Sequence, residues 1–299
     1  MLPILIDIGA VRIHTFGVMV VLGFALGIWW CSYEARRLGV ERDRIFDLTF
    51  WLLVSGILGA RLLYLIVNSG DYLAWFSSVR ASHDVVTACI HLVIEFVAVW
   101  RGGLVWYGGL LAAFMVGVLY LRRHRMPLWP TADLVAPGVM LGLAVGRLGC
   151  LAAGDDHGKV VEGAWRNVQA GLDAPWWTLT FHNSQSLIPM DLLGKPLYPT
   201  QPIMSLYCIL IFGFLFWLRG RKQFHGQIVW VMMLTYAVAR FGVEFLRGDL
   251  GRGFVLDGLL STSQLISILV VAVSLAMLRH CARIQKSSPP PSPSASVST

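Results

Sequence analysis

The chain has 299 residues, of which 56% are hydrophobic and 14% are charged, and its formal net charge is +7. A soluble domain carries about 25% charged residues, so the composition excludes an ordinary soluble protein and indicates an integral membrane protein. The basic residues form short clusters at the ends of apolar runs, a distribution that argues against a nucleic-acid partner. The five cysteines show no metal-ligand spacing, and we predict neither a metal nor a cofactor.

Seven apolar runs have the length of about 20 residues that a membrane-spanning helix needs. We predict spans at residues 14–34, 46–67, 103–121, 132–152, 200–218, 226–246 and 259–279. Basic clusters follow the odd-numbered spans. Because such clusters favour the cytoplasmic side, the N-terminus is predicted outside and the C-terminus inside. The predicted fold class is an all-α integral membrane protein with seven transmembrane helices.

The remaining segments differ in composition from the spans. Residues 85–100 form a shorter apolar run with two ionisable interruptions, and we interpret it as an amphipathic helix at the outer membrane surface. A mixed external segment, residues 153–199, separates spans four and five, and residues 178–188 within it favour a strand or hairpin. The membrane domain is placed at residues 1–285. The Pro/Ser-rich residues 286–299 are predicted to be a disordered cytoplasmic tail.

The fourth span carries a charge close to its end. Residues 138–158 read GVMLGLAVGRLGCLAAGDDHG, so that Arg147 lies in an apolar helix just before Asp155, Asp156 and His157. A cation inside a membrane segment costs roughly 2.5–3.5 kcal/mol on insertion scales. Two interpretations stay open at this point: Arg147 binds an anionic lipid headgroup, or its side chain extends to the membrane surface as a structural residue.

Further ionisable residues lie at the same predicted depth. Arg240 and Glu244 are four residues apart on span six and therefore share one helix face, which Tyr236 extends by another turn. They form either a structural ion pair or part of a functional site. Arg61, Arg147 and Arg240 come from three spans, and like charges repel strongly at low dielectric. A shared anion such as a phosphate would hold the three arginines together.

The third span opens with a glycine-rich stretch, residues 101–110, RGGLVWYGGL. Glycine pairs allow an unwound helix start, or they let two membrane helices approach closely. No Lys-Ser/Thr pair follows, so the stretch is not a soluble phosphate-binding loop. Helix packing and a role in ligand binding are both compatible with this pattern.

Taken in order, these motifs resemble the prolipoprotein diacylglyceryl transferase family of bacterial inner membranes. The similarity covers nearly all of residues 12–282. It is carried by the sequences IHTFGVMVVLGF, GARLLYL, GGLVWYGGL, GLAVGRLGCLAAGDDHG, YPTQPIMSLY and YAVARFGVEFLRGD. The family has seven spans with the N-terminus outside, as predicted here from the apolar runs.

The resemblance implies an activity, its partners and a location. The expected enzyme transfers a diacylglyceryl group from phosphatidylglycerol to the lipobox cysteine thiol of a preprolipoprotein signal peptide. The products are a thioether and glycerol phosphate. The expected location is the bacterial cytoplasmic (inner) membrane, with multiple passes.

The resemblance also assigns roles to residues of this chain. Arg147 and Arg240 match the two arginines that bind the lipid phosphate and stabilise the leaving group, and Glu244 and Tyr236 match polar residues beside the second arginine. The other substrate-binding positions implied are Arg61, Gln201, Gly108 and Gly109.

This chain departs from the family at the position of the proposed base. Tyr107 replaces the histidine of the HGGL motif, and an unperturbed tyrosine has a pKa of about 10 unless arginines lower it. His157, with an unperturbed pKa of about 6.5, is the alternative base, oriented by Asp155 or Asp156. Cys150 replaces the asparagine of the GRxGN motif, either as a small filler or as a thiol activated by the arginine before it.

Two other functions are compatible with part of the sequence. A catalytically silent relative would bind lipid or lipoprotein precursors without chemistry, and the missing family histidine favours it. A transporter or channel would show paired half-helices or inverted repeats, and the sequence has neither. We therefore rank the transferase first and the silent paralogue second.

Overall fold

The structure is a computed structural model that describes residues 3–8, 11–82, 84, 86–88, 90–91, 94, 103, 105–249, 253–255 and 259–287. Most of the described residues are helical, as expected of an all-α membrane protein. The helices are α1 (Thr15–Arg37), α2 (Arg42–Val67), α3 (Ser69–Ser82), α4 (Trp106–Arg123), α5 (Leu128–Ala153), α6 (Glu162–Gln169), α7 (Thr200–Leu218), α8 (Gln227–Val243) and α9 (Thr262–Ser287). Two short antiparallel strand pairs are β1 (Ile4–Ile8) with β2 (Val11–His14), and β3 (Phe254–Val255) with β4 (Leu260–Ser261).

Six helices of the described residues are long and apolar enough to cross a membrane. They are α1, α2, α5, α7, α9 and the helical run Gln227–Leu246 that begins with α8. Each coincides with one of the seven predicted spans. The predicted third span, residues 103–121, corresponds to α4, which has 18 residues and ends with Arg122 and Arg123. Those two charges lower the mean hydropathy of so short a helix, and α4 is not among the six.

The chain forms two compact units, Met1–Glu34 with Trp129–Thr299, and Ala35–Leu128. The core of the first unit lies between α5, α7 and α8, where Met140, Leu215 and Ile228 are buried together. Helix α1 approaches α5 closely, since a Cβ added to Gly23 would lie 2.6 Å from the Gly142 carbonyl oxygen. Small residues allow this contact, as is usual between membrane helices.

Asp133 attaches the start of α8 to α5. Its carboxylate accepts hydrogen bonds from the backbone N–H groups of Gly226, at 2.8 Å, and Val229, at 3.0 Å. The first N–H groups of a helix have no intrahelical partner, so the buried carboxylate satisfies donors that would otherwise be unpaired. Lys222 Nζ, 3.5 Å away, balances its charge. The contact fixes the two helices that carry Arg147 and Arg240 against each other.

In the second unit, α2 packs against α4 through glycines. A Cβ on Gly108 would lie 2.3 Å from the Gly59 carbonyl oxygen, and one on Gly109 would lie 2.8 Å from that of Gly56. No side chain fits at such distances. The packing interpretation of the glycine-rich stretch is therefore confirmed for these two residues, and their predicted contact with substrate stays a prediction.

Residues 153–199, the segment predicted to be external and mixed in structure, are largely irregular. The segment contains the short helix α6, and its apolar side chains Phe181, Ile188 and Leu197 form a small core of their own. The strand or hairpin predicted at residues 178–188 is wrong: within that stretch Leu179 forms an isolated bridge to Leu197. Turn-forming hydrogen bonds to Asn183 occupy the middle of the stretch, which explains why no strand extends through it.

Two elements of the structure were not predicted from the sequence, and two predicted segments lie largely outside the described residues. The hairpin of β1 and β2 before the first span and helix α3 after the second had no clear sequence signal. The predicted amphipathic helix at residues 85–100 lies largely outside the described residues. Helix α9 continues to Ser287, two residues into the predicted tail, and the rest of the tail lies outside the described residues.

Candidate active site

Arg147 lies near the end of α5, and the chain turns back towards it directly after the helix. Gly154 adopts a left-handed φ of 82° and Asp156 one of 54°, and the N–H groups of Gly154 and Asp155 donate to the Cys150 carbonyl oxygen at 2.9 and 3.1 Å. A left-handed glycine is a common way to end a helix. The turn brings the Asp156 carboxylate onto Arg147 Nη1 as an ion pair.

The same carboxylate binds a second arginine. Arg247 Nη2 lies 2.5 Å from Asp156 Oδ1 and 2.6 Å from Asp249 Oδ2, and Arg247 is buried. Burial lowers the pKa of Arg247, but its hydrogen bond to Asp249 and the charge of Asp156 more than offset this, so the net shift is upward. Sequence reasoning missed Arg247, although it lies seven residues after Arg240 in the FLRGD sequence.

Helix α7 holds the turn from the other side. Gln201, fully buried, donates from Nε2 to the Asp155 carbonyl oxygen at 2.8 Å, and Thr200 Oγ1 donates to that of Asp156 at 2.8 Å. Partial desolvation raises the pKa of the Asp155 carboxyl above its ordinary value, and the charge of Asp156 raises it further, although Asp155 lies exposed at the surface. Gln201 therefore fixes the backbone beside Arg147, and its predicted contact with the lipid stays a prediction.

The predicted pair on span six is confirmed. Arg240 Nη1 lies 2.6 Å from Glu244 Oε2, and both side chains are largely buried. Arg240 Nη2 donates to Ser263 Oγ on α9 at 3.2 Å. One turn earlier, the ring of Tyr236 meets that of Tyr207 edge to face at 5.8 Å between centroids.

Arg147 and Arg240 lie around the same two tyrosines. Tyr207 interacts electrostatically with both arginines, and Arg147 also interacts with Tyr236. Carboxylates of the protein compensate the charges of Arg147 and Arg240 without a bound ligand, and the binding of a shared anion stays a prediction. Asp156 forms an ion pair with Arg147, and Glu244 forms an ion pair with Arg240. These ion pairs compensate the cost of placing cations in apolar helices.

Arg61 and Tyr107 belong to the second unit. Arg61 is 1% exposed, its Nη1 donates to the Gly103 carbonyl oxygen at 3.1 Å, and its guanidinium carbon lies 5.3 Å from the centre of the Tyr64 ring. Tyr107, in the first turn of α4, is 48% exposed and contacts the ring of Trp106. The phenol is thus accessible from outside the protein.

His157 is buried in the backbone that follows the turn. Its carbonyl oxygen accepts a hydrogen bond from the Gly248 N–H at 3.0 Å, and its Nδ1 lies 3.1 Å from the Gly158 carbonyl oxygen. The Asp156 carboxylate, one of its two predicted orienting groups, is engaged by the two arginines instead. His157 is 5% exposed, so it is less accessible to a substrate thiol than Tyr107.

Three potential metal ligands meet at the same turn. Donor atoms of Cys150, Asp155 and Asp156 lie within 4.8 Å of one another. Asp156 already balances Arg147 and Arg247, and a divalent cation placed there would be repelled by both guanidinium groups. Each of the two Asp156 carboxylate oxygens therefore already has an arginine partner.

The apolar helices and the cluster of arginines with their carboxylates define a helical membrane protein with a polar site built from ion pairs. A sequence profile of the family described as prolipoprotein diacylglyceryl transferase matches residues 3–280, and the chain belongs to that family.

Relatives named phosphatidylglycerol–prolipoprotein diacylglyceryl transferase match almost the whole chain. The relative from Chromohalobacter salexigens is 30% identical over 277 residues, which cover 92% of this chain and 90% of the relative. The one from Thermus thermophilus is 28% identical over 92% of this chain and 97% of the relative. The one from Geobacillus kaustophilus is 27% identical over 92% and 90% respectively.

Proposed function

We propose that this chain transfers the diacylglyceryl group of phosphatidylglycerol to the lipobox cysteine thiol of preprolipoproteins in the bacterial inner membrane. The observation that carries the proposal is the position of Arg147 and Arg240 around one pair of tyrosines. Family membership and the names of the relatives supply the substrate class.

In the proposed reaction, the cysteine thiolate attacks the glycerol carbon that carries the phosphate ester. A carbon–sulfur bond forms, the carbon–oxygen bond to phosphate breaks, and its electron pair leaves with glycerol phosphate. The thiol proton passes to a base, either the phenolate form of Tyr107 or the neutral imidazole of His157. Negative charge grows on the phosphate during this step, and preorganised cations nearby stabilise that charge more strongly than water does.

The carboxylates leave each arginine able to bind a phosphate. A guanidinium group has five N–H donors, and Asp156 contacts Arg147 at Nη1 while Glu244 contacts Arg240 at Nη1. A phosphate would bind at other edges of these planar groups. The carboxylates also offset the charges of the arginines, which favours the release of the anionic product.

We further propose that α4 also crosses the membrane, as the third of seven spans in chain order. Its 18 residues reach about 27 Å at 1.5 Å per residue, close to the thickness of a hydrocarbon core. Arg122 and Arg123 would then lie at the membrane surface. With seven spans, the basic clusters all fall on the cytoplasmic side, with the N-terminus outside.

The test is complementation in bacterial cells depleted of their own enzyme. Expression of this chain is expected to restore the thioether on lipoproteins, and Arg147→Ala is expected to abolish that rescue at equal protein levels. Normal phosphatidylglycerol binding without any thioether product would instead identify a catalytically silent relative and overturn the proposal.

A further inference from the structure

Tyr207 carries a hydroxyl that its surroundings in α7 do not require. Its oxygen is buried and has no hydrogen-bond partner among the residues that the structure describes. A buried hydroxyl without a partner costs about 1–3 kcal/mol, and a phenylalanine would fill the same space without that cost. The presence of the hydroxyl is therefore explained by a hydrogen-bond partner that binds in another state of the protein.

The surroundings of Tyr207 indicate the charge of that partner. Its ring packs against the core of the first unit and against Tyr236. It also interacts electrostatically with both Arg147 and Arg240. A neutral O–H donor that interacts with two guanidinium groups complements an anion with several acceptor oxygens, because each of the three groups is a hydrogen-bond donor.

We propose that the Tyr207 hydroxyl donates a hydrogen bond to the phosphate of phosphatidylglycerol, as a third phosphate-binding group beside Arg147 and Arg240. This inference rests on the proposed function and adds to it a residue outside the set inferred from the family motifs. A hydrogen bond to a charged acceptor is about twice as strong as one between neutral groups. The bound lipid thus offsets the cost that the lipid-free protein bears.

Tyr207→Phe removes the hydroxyl and keeps the ring. With the full chain in detergent micelles, phosphatidylglycerol and a lipobox peptide, kcat/KM for the lipid is expected to fall about 10- to 100-fold. The thermal midpoint of the lipid-free variant is expected to equal or exceed that of the unaltered chain. A fall in the midpoint, or failure to fold, would show that the hydroxyl stabilises the lipid-free protein and would overturn the inference.

A binding measurement separates this inference from the proposed function. Phosphatidylglycerol raises the thermal midpoint of a protein that binds it, and the rise is expected to be smaller in Tyr207→Phe even if the unaltered chain has no transferase activity. An unchanged rise and an unchanged kcat/KM would overturn the inference and leave the transferase assignment intact. If the unaltered chain neither binds the lipid nor turns it over, both fall.

Glycerol phosphate presents the same chemistry in the product. If Tyr207→Phe weakens inhibition by added glycerol phosphate without changing kcat/KM for the lipid, the hydroxyl serves the product and the inference as stated is wrong. Tyr33→Phe is the matched control. Tyr33 is 46% exposed on α1, and loss of its hydroxyl is expected to change kcat/KM by less than about twofold.

Discussion

The Asp156 carboxylate joins Arg147, near the end of α5, to Arg247, directly after the helical run that carries Arg240. A non-glycine residue in the left-handed region carries a conformational cost, and Asp156 adopts this conformation while binding both arginines. The turn after α5 is therefore held by charge, and it sets the position of the arginine that we assign to the lipid phosphate.

Asp156→Asn tests this relationship through stability. Removal of the carboxylate charge leaves two largely buried arginines without their common counterion. Loss of one partner of a buried pair typically costs 3–5 kcal/mol; because Asp156 is 19% exposed, we expect the free energy of unfolding to fall by about 2 kcal/mol. Denaturant unfolding of the detergent-solubilised chain measures the change. Asp173→Asn, an exposed carboxylate in the same segment, is the control and is expected to have no effect.

Asp155 predicts a dependence of stability on pH. Partial desolvation and the charge of Asp156 raise the folded-state pKa of this carboxyl above 3.8. Because Asp155 is exposed and its charge is screened by solvent, ionisation is only slightly less favourable in the folded chain than in the unfolded one. The contribution of the protonated group to stability is complete below the unfolded pKa and is lost as pH rises through the folded pKa. Asp155→Asn is therefore expected to be more stable than the unaltered chain at pH 7.

That difference should shrink as the pH is lowered towards 4, because the carboxyl of the unaltered chain then becomes protonated. Thermal midpoints of Asp155→Asn and of the unaltered chain, measured at several pH values, test this expected change in the stability difference. A difference that stays constant across the range, or grows in acid, would contradict the assignment.

The identity of the base is the third prediction. The substrate thiol must be able to reach a base before the pKa of that base affects catalysis. Tyr107 is 48% exposed, whereas His157 is 5% exposed. We expect Tyr107→Phe to lower kcat by about 100-fold or more, in the range typical of general-base catalysis. His157→Gln is expected to lower the thermal midpoint and to leave kcat much closer to that of the unaltered chain. The reverse pattern in the purified assay would assign the base to His157.

Gly108 provides the fourth prediction. A Cβ at this position would meet the Gly59 carbonyl oxygen at 2.3 Å and the Leu63 Cβ at 2.5 Å. Gly108→Ala is expected to lower the free energy of unfolding by about 1–3 kcal/mol, the usual cost of overpacking. Gly213→Ala is the matched control, since nothing lies within 4 Å of the added Cβ on α7, and alanine is the better helix former. Equal stability of the two variants would show that Gly108 is not a packing residue.

Much of the architecture follows from one-dimensional information. Apolar runs of spanning length predicted six of the candidate spans, because the length of such a run is set by the thickness of the membrane core. Helical periodicity likewise predicted the pair of Arg240 with Glu244, since residues four apart share a helix face. The order of the motifs along the chain indicates the family without any tertiary information.

The partners of Arg147 depended on the tertiary structure. Asp156 reaches Arg147 only because the chain turns back after α5, and Arg247 joins them from a segment distant in sequence. The environment of the buried Tyr207 hydroxyl could not be predicted from the sequence either, because it is built from α5, α7 and α8 together. Local periodicity reports which face a residue occupies on its own helix. It carries no information about which side chains other helices bring to that face, and those contacts determine how the charges are compensated.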